Sequence, residues 1–211
     1  MEYKGIIFDL DGVICFTDKY HYQAWKKLAD KLGIYFDETI NNRLRGVSRM
    51  ESLEIILEKS TKSYTKEEKE DLAEQKNQMY VELLENMSPE DLSKEVKITL
   101  DDLREKGVLL AIGSSSKNAK RILKHLGMED YFDAISDGTN ITKSKPDPEV
   151  FLKAAEYLHL APQECLVVED AVAGIKAAVA GGFDSAGLGE ASEYEMTTYP
   201  LNGFADLRNI N

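Results

Sequence analysis

An α/β fold, a doubly wound parallel sheet with an inserted helical cap, is predicted by three features of the sequence. Short apolar, β-branched runs end abruptly in polar clusters. Amphipathic stretches of helical period separate them, and one interval after the first run is too long for a single crossover. The first run, Tyr3 to Phe8 (YKGIIF), breaks into Asp9-Leu10-Asp11-Gly12, as a buried parallel strand does when it delivers carboxylates at its C-terminal end. Three similar runs follow: Val108 to Ile112 (VLLAI), Ala134 to Ser136, and Cys165 to Val168 (CLVV). Between and after them lie the helical stretches Ile98 to Lys106, Ala119 to Leu126, Pro148 to Leu158 and Ala173 to Ala180. Strand alternating with helix is a Rossmann-like arrangement, whose ligands bind where the strands end.

The interval from Thr17 to Asn86 breaks this alternation. His21 to Leu32, with Ala24, Trp25, Leu28 and Leu32 near helical spacing, then Ser52 to Leu57 and Leu72 to Leu84, read as helix after helix. The expected boundaries are therefore a core of residues 1–16 and 87–211 and a cap of residues 17–86. The run from Tyr64 to Gln78 is densely charged and reads as a solvated helix face. Trp25 reads as cap core.

Of 211 residues 38 are acidic and 26 basic, a formal charge of −12. That balance argues against nucleic acid or an anionic membrane as partner and favours a small, metal-neutralised phosphate. The apolar runs are strand length, short of the roughly 20 residues a membrane span needs. Cys15 and Cys165 lie far apart with no CxxC pair, and no leading apolar run is present, which reads as a reducing, cytoplasmic compartment. A monomer is the default for this size.

Asp9-x-Asp11-Gly12 admits more than one reading. A calcium loop fails, because its glycine belongs at the sixth position and a glutamate at the twelfth, where Tyr20 stands. Two carboxylates capping a strand-to-helix turn remain possible. The other strand ends weigh against that plain reading: Cys165 to Val168 runs into Glu169-Asp170, and four acids at one sheet edge repel unless a cation sits among them. Oxygen-only ligands suit Mg²⁺. After the second run come Gly113-Ser114-Ser115-Ser116-Lys117-Asn118, whose hydroxyls and N–H groups suit phosphate oxygens or serve simply as a helix N-cap. Lys145, before Pro146, balances the acids or is surface charge.

Phe8-Asp9-Leu10-Asp11-Gly12-Val13, Ser114, Lys145-Pro146 and Glu169-Asp170 together resemble the four spaced motifs of the haloacid dehalogenase-like phosphotransferases. The resemblance implies that Asp9 is the nucleophile forming an aspartyl-phosphate, Asp11 the general acid/base, and Ser114 and Lys145 the holders of the transferring phosphoryl. It implies Mg²⁺ on Asp9, the Asp11 carbonyl, Asp170 and, through water, Glu169. The interval after the first strand, with Thr17 and His21, Arg45-Gly46-Val47-Ser48-Arg49 with Ser52, and Lys76-Asn77 with Tyr80, resembles the cap of the β-phosphoglucomutases within that family. Gly46, Val47 and Arg49 then hold the far phosphate and sugar, and His21 helps engage the general acid. Ser115, Ser116, Lys117 and Asn118 join the substrate site. Phe16, Ser115 and Ala171 depart from the residues common there.

The activity so implied is a Mg²⁺-dependent interconversion of β-D-glucose 1-phosphate and glucose 6-phosphate, with glucose 1,6-bisphosphate as intermediate. The alternative is a sugar-phosphate or phosphoglycolate-type phosphatase on the same core. A response-regulator receiver uses similar residues but has no use for the insertion, and no motif position is missing as a dead binding module would require. Cys15 reads as packing or as a site of oxidative inhibition. His125 and His159 are given no role.

Overall fold

The structure, a computed structural model, describes residues 3–44 and 47–210. It divides into two compact units, one of residues 1–16 with 88–211 and one of residues 17–87.

The first unit is built on a six-stranded parallel sheet: β1 (Gly5–Phe8), β2 (Leu109–Gly113), β3 (Ala134–Ser136), β4 (Cys165–Glu169), β5 (Asp184–Gly187) and β6 (Tyr199–Pro200), in the order β3-β2-β1-β4-β5-β6. Its helices are α5 (Lys94–Glu105), α6 (Ala119–His125), α7 (Glu149–Tyr157) and α8 (Val172–Ala180). One face of the sheet presents Ile7, Ala111 and Val167 to Phe151 and Ala154 of α7 and to Ala177 and Ala178 of α8. On the other, Phe8 stacks on Phe204, 5.7 Å between ring centroids, in the short turn Phe204–Asn209 that packs with α5. With both faces covered, every residue of β1 and β4 is buried, so these strands read as continuous apolar runs.

The register matters for function. One row across the sheet runs Ile135, Ile112, Phe8, Val168, Ala186. The next row, Asp9, Gly113, Ser136 and Glu169, therefore lies along the C-terminal edge of the sheet, beside the point where the strand order reverses.

The sheet is larger than the sequence suggests. β5, Asp184-Ser185-Ala186-Gly187, carries no β-branched residue and one apolar side chain, Ala186, and β6 contains a proline at the sheet margin, so neither shows an apolar run. The first strand also begins at Gly5 rather than Tyr3, whose hydroxyl bonds Asp184 Oδ2 at 2.6 Å.

The second unit is helical: α1 (Asp18–Leu32), α2 (Glu38–Asn42), α3 (Arg49–Leu57) and α4 (Lys66–Leu84). Trp25 and Leu28 of α1, Ile40 of α2, Leu53 and Ile56 of α3 and Leu72 of α4 close a core of their own. Capping boxes start α3 (Ser48 with Glu51) and α4 (Thr65 with Glu68), and Gly33 ends α1 in the left-handed conformation. α2 is a single short turn, below the length at which periodicity identifies a helix. No helix among the described residues is long and apolar enough to cross a membrane.

Candidate active site

Adjacent strands deliver the central group. β1 and β4 are hydrogen-bonded neighbours, so Asp9 and Glu169 emerge side by side, and both are buried, with Glu169 only 1% exposed. Lys145, from the loop before α7, lies with its Nζ 2.6 Å from Asp9 Oδ1 and 2.5 Å from Glu169 Oε1. Its own peptide to Pro146 is cis. The second Glu169 oxygen accepts the backbone N–H groups of Asp170 (3.0 Å) and Ala171 (3.1 Å), which fixes the carboxylate at the entrance of α8.

Two glycines make room for this packing. A Cβ at Gly174 would stand 1.9 Å from Glu169 Cδ, so α8 approaches the glutamate only because residue 174 has no side chain. Gly12 has φ +93°, and a Cβ there would meet Asp170 Oδ2 at 2.0 Å.

Asp9, Glu169 and Asp170 each offer an oxygen, and these atoms lie within 4.8 Å of one another. Burial, with the charges of Glu169 and Asp11 added, pushes the Asp9 carboxyl up to about 7, although Lys145 opposes the shift. Burial and then the Asp9, Glu169 and Asp11 charges push Asp170 up to about 8. For Lys145 burial acts downward, and the two carboxylates outweigh it and hold the ammonium above its ordinary range. One lysine thus leaves the cluster short of positive charge, and an all-oxygen donor set of this kind fits Mg²⁺. The Asp11 carboxylate is not a member of the three-oxygen group, and Asp11 is half-buried in the turn whose Gly12 N–H bonds Cys15 O at 2.7 Å. Cys15 is buried and its thiol is pushed well up, first by burial and then by Asp11 and Asp9, which marks it as packing rather than an oxidation site.

The serine loop follows β2. Ser114 N–H bonds Ser136 O at 3.0 Å, Ser114 Oγ accepts the Ser116 N–H (3.2 Å) and Ser116 Oγ accepts the Asn118 N–H (3.1 Å). These hydroxyls tie the loop to itself. The plain N-cap reading does not hold, since the cap residue of α6 is Asn118 and its side chain makes no capping bond. Ser114 is buried, Ser115, Ser116 and Asn118 are half-buried and Lys117 is exposed. The Ser115 Oγ atom is itself buried without a hydrogen-bond partner.

The helical unit gathers its own candidates. Tyr80 hydroxyl donates to Thr17 Oγ1 at 3.0 Å, and the His21 ring stacks on Tyr80 with centroids 4.0 Å apart. Lys76 is 3% exposed, so the solvated-face reading of the charged run does not extend to it. Its Nζ lies 2.8 Å from His21 Nδ1 and 4.7 Å from the ring centroids of Trp25 and Tyr80. An ammonium has no lone pair, so Nδ1 accepts and the ring proton sits on Nε2. Two aromatic faces and one imidazole replace the water that Lys76 has lost. Arg49 bonds Asn77 Oδ1 (2.9 Å) and lies 3.6 Å from Glu74, and burial lowers its guanidinium from its usual value. Ser52 is buried and its N–H caps back to Ser48 O, while Val47 is exposed. Gly46 lies outside the described residues. Glu74 carries no sequence signal of its own and is found only from the fold.

A family model described as haloacid dehalogenase-like hydrolase matches residues 3–182. The chain belongs to this family. Within it, the chain is 43% identical to the β-phosphoglucomutase of Bacillus subtilis over 189 residues, 89% of this chain and 84% of that protein. It is 30% identical to a phosphorylated carbohydrates phosphatase of Thermotoga maritima, covering 86% and 82%. The crystal structure of β-phosphoglucomutase from Clostridium difficile matches with a TM-score of 0.89 at 40% identity, over 97% of this chain and 93% of that one. The doubly wound sheet and the helical unit of this haloacid dehalogenase-like protein are thus those of its relatives.

Proposed function

We propose that this chain is a Mg²⁺-dependent mutase that interconverts β-D-glucose 1-phosphate and glucose 6-phosphate through an aspartyl-phosphate and glucose 1,6-bisphosphate. The observation that carries the choice of reaction is the 43% identity, over most of both chains, to a β-phosphoglucomutase, against 30% to a phosphatase. Asp9, Asp170, the Asp11 carbonyl and, through water, Glu169 would hold the ion. When bound, it supplies positive charge to phosphoryl oxygens.

The residues divide the remaining work. One Asp9 oxygen attacks phosphorus as the bond to the leaving sugar oxygen breaks, and Asp11 gives that oxygen its proton. The donor in that step is the C1 phosphate of glucose 1,6-bisphosphate, so glucose 6-phosphate leaves. In the other half the C6 hydroxyl of β-glucose 1-phosphate loses its proton to Asp11 and attacks the phosphorus held on Asp9, which frees the carboxylate and regenerates the bisphosphate. Lys145, paired with both Asp9 and Glu169, offsets the repulsion between a carboxylate and a phosphoryl dianion. Ser114, with Ser115, Ser116, Lys117 and Asn118, cradles the phosphoryl oxygens. Thr17, His21, Gly46, Val47, Arg49, Ser52 and Lys76 bind the sugar and its second phosphate and exclude water, so that a sugar hydroxyl takes the phosphoryl group. The working form we assign is a cytoplasmic monomer.

Incubation with Mg²⁺, β-glucose 1-phosphate and a trace of glucose 1,6-bisphosphate tests this reading by following glucose 6-phosphate and free phosphate together. Many turnovers to glucose 6-phosphate with little free phosphate are expected. Stoichiometric free phosphate would replace the mutase with the phosphatase reading.

A further inference from the structure

Lys145 comes from a loop, and a loop lysine is useful at a reaction centre only if its backbone is held. The segment between β3 and α7 contains no helix or strand. Even so, Lys145 Nζ stands within 2.6 Å of Asp9 and 2.5 Å of Glu169. The fastening is on the other side of the loop. Glu149, the first residue of α7, turns its carboxylate back across it. Oε2 accepts the Thr142 N–H (3.0 Å), the Thr142 hydroxyl (2.9 Å) and the Lys143 N–H (2.8 Å). Oε1 pairs with Lys153 Nζ at 3.1 Å, and Lys153 also donates to Asn140 O. Within the loop Asp147 Oδ1 accepts the Glu149 N–H (3.1 Å) and Asp147 N–H bonds Ser144 O (3.1 Å). These bonds, the Lys143 N–H first among the causes, push the Glu149 carboxyl down to about 2, so it is ionised at any working pH.

We infer that Glu149 is a positioning residue for Lys145: its carboxylate closes the loop onto α7 on the N-terminal side of the lysine. α7 in turn is anchored by Val150 and Phe151, both fully buried, and the Phe151 ring centroid lies 4.7 Å from Lys145 Nζ. The clamp and the floor under the ammonium thus belong to the same helix turn. The inference rests on the role in phosphoryl transfer assigned to Lys145 above.

The test is a double-mutant cycle on the full chain with Mg²⁺, reading phosphate release from acetyl phosphate under single-turnover conditions. That donor makes the readout independent of which sugar is used. Glu149→Ala is expected to slow the reaction about 10- to 100-fold, the range that a displacement near 1 Å costs. In a Lys145→Ala background the same change should alter the residual rate less than about twofold, because the group being positioned is gone. Glu149→Gln keeps one acceptor oxygen for the two N–H groups and should recover most of the loss. Thr142→Val, which removes one of the three donors, should show a smaller loss of the same sign, and it carries the cycle if Glu149→Ala does not fold. Equal factors in both backgrounds, or no effect of Glu149→Ala, would overturn the positioning role alone. A Lys145→Ala protein as fast as wild type would overturn the lysine's role and, with it, the inference.

Discussion

Asp9 is under two opposed demands. A nucleophilic carboxylate must be ionised, yet burial and the nearby Glu169 and Asp11 charges push it up to about 7, with Lys145 alone among the named causes in strong opposition. Asp9→Asn relieves that conflict at the expense of the chemistry. It should reduce phosphoryl transfer below detection while leaving the metal-free protein as stable as wild type or more so at pH 8, because the side chain keeps its shape and loses its charge. Wild-type turnover with Mg²⁺ present would end the nucleophile assignment. Arg49 makes a matching argument in the helical unit. It is drawn partly out of water and held by Asn77 and Glu74, an arrangement that keeps a guanidinium oriented for an anion. Arg49→Ala should raise the proportion of phosphoryl groups lost to water, measured as free phosphate per glucose 6-phosphate formed, by roughly tenfold, the change that about 1.4 kcal/mol of lost phosphate binding produces. An unchanged ratio would remove Arg49 from the second phosphate site.

At the scale of elements, the site depends on how closely α8 approaches the end of β4. Gly174 lies in the first turn of α8, against Glu169. Gly174→Ala would set a methyl group 1.9 Å from Glu169 Cδ and must displace either the helix or the carboxylate, which also holds Lys145. Helix propensity favours alanine by up to about 1 kcal/mol, so a gain would be expected if the site were empty space. The close contact reverses the sign. A lower melting temperature and a weaker Mg²⁺ requirement-saturation curve are expected, and a stabilised, fully active variant would show that the contact relaxes freely. This glycine also marks the limit of sequence reading. β1, β2 and β4 are legible because strands buried on both faces must be apolar throughout, and their abrupt polar ends single out Asp9, Ser114 and Glu169. The spacing does not reveal that Gly174 stands behind Glu169, nor that Glu149 bends back onto Thr142, since both contacts need the tertiary turn. Lys76 fails for the converse reason: the first part of α4 is densely charged, and only the position of Trp25 and Tyr80 distinguishes the buried lysine from its solvated neighbours.

At the scale of the whole molecule, the charge of −12 and the buried acid cluster act in the same direction. Asp9 and Asp170 titrate near 7 and 8 in the folded chain and near 4 when unfolded. Between those limits the folded chain binds more protons than the unfolded one, so stability falls as pH rises from about 4 to about 8 in metal-free solution. Lys145 does not reverse this, because its raised titration lies above the window and it stays charged within it. A divalent cation among the carboxylates offsets their repulsion only when they are ionised, and it competes with their protons below that range. The rise in melting temperature on adding saturating Mg²⁺ should therefore be larger at pH 8 than at pH 5, with about 2–4 °C gained per kcal/mol of binding for a chain of this size. Asp170→Asn should remove most of the difference between the two pH values. A Mg²⁺ increment as large at pH 5 as at pH 8 in the wild-type protein would mean that the ion binds elsewhere than at Asp9, Glu169 and Asp170.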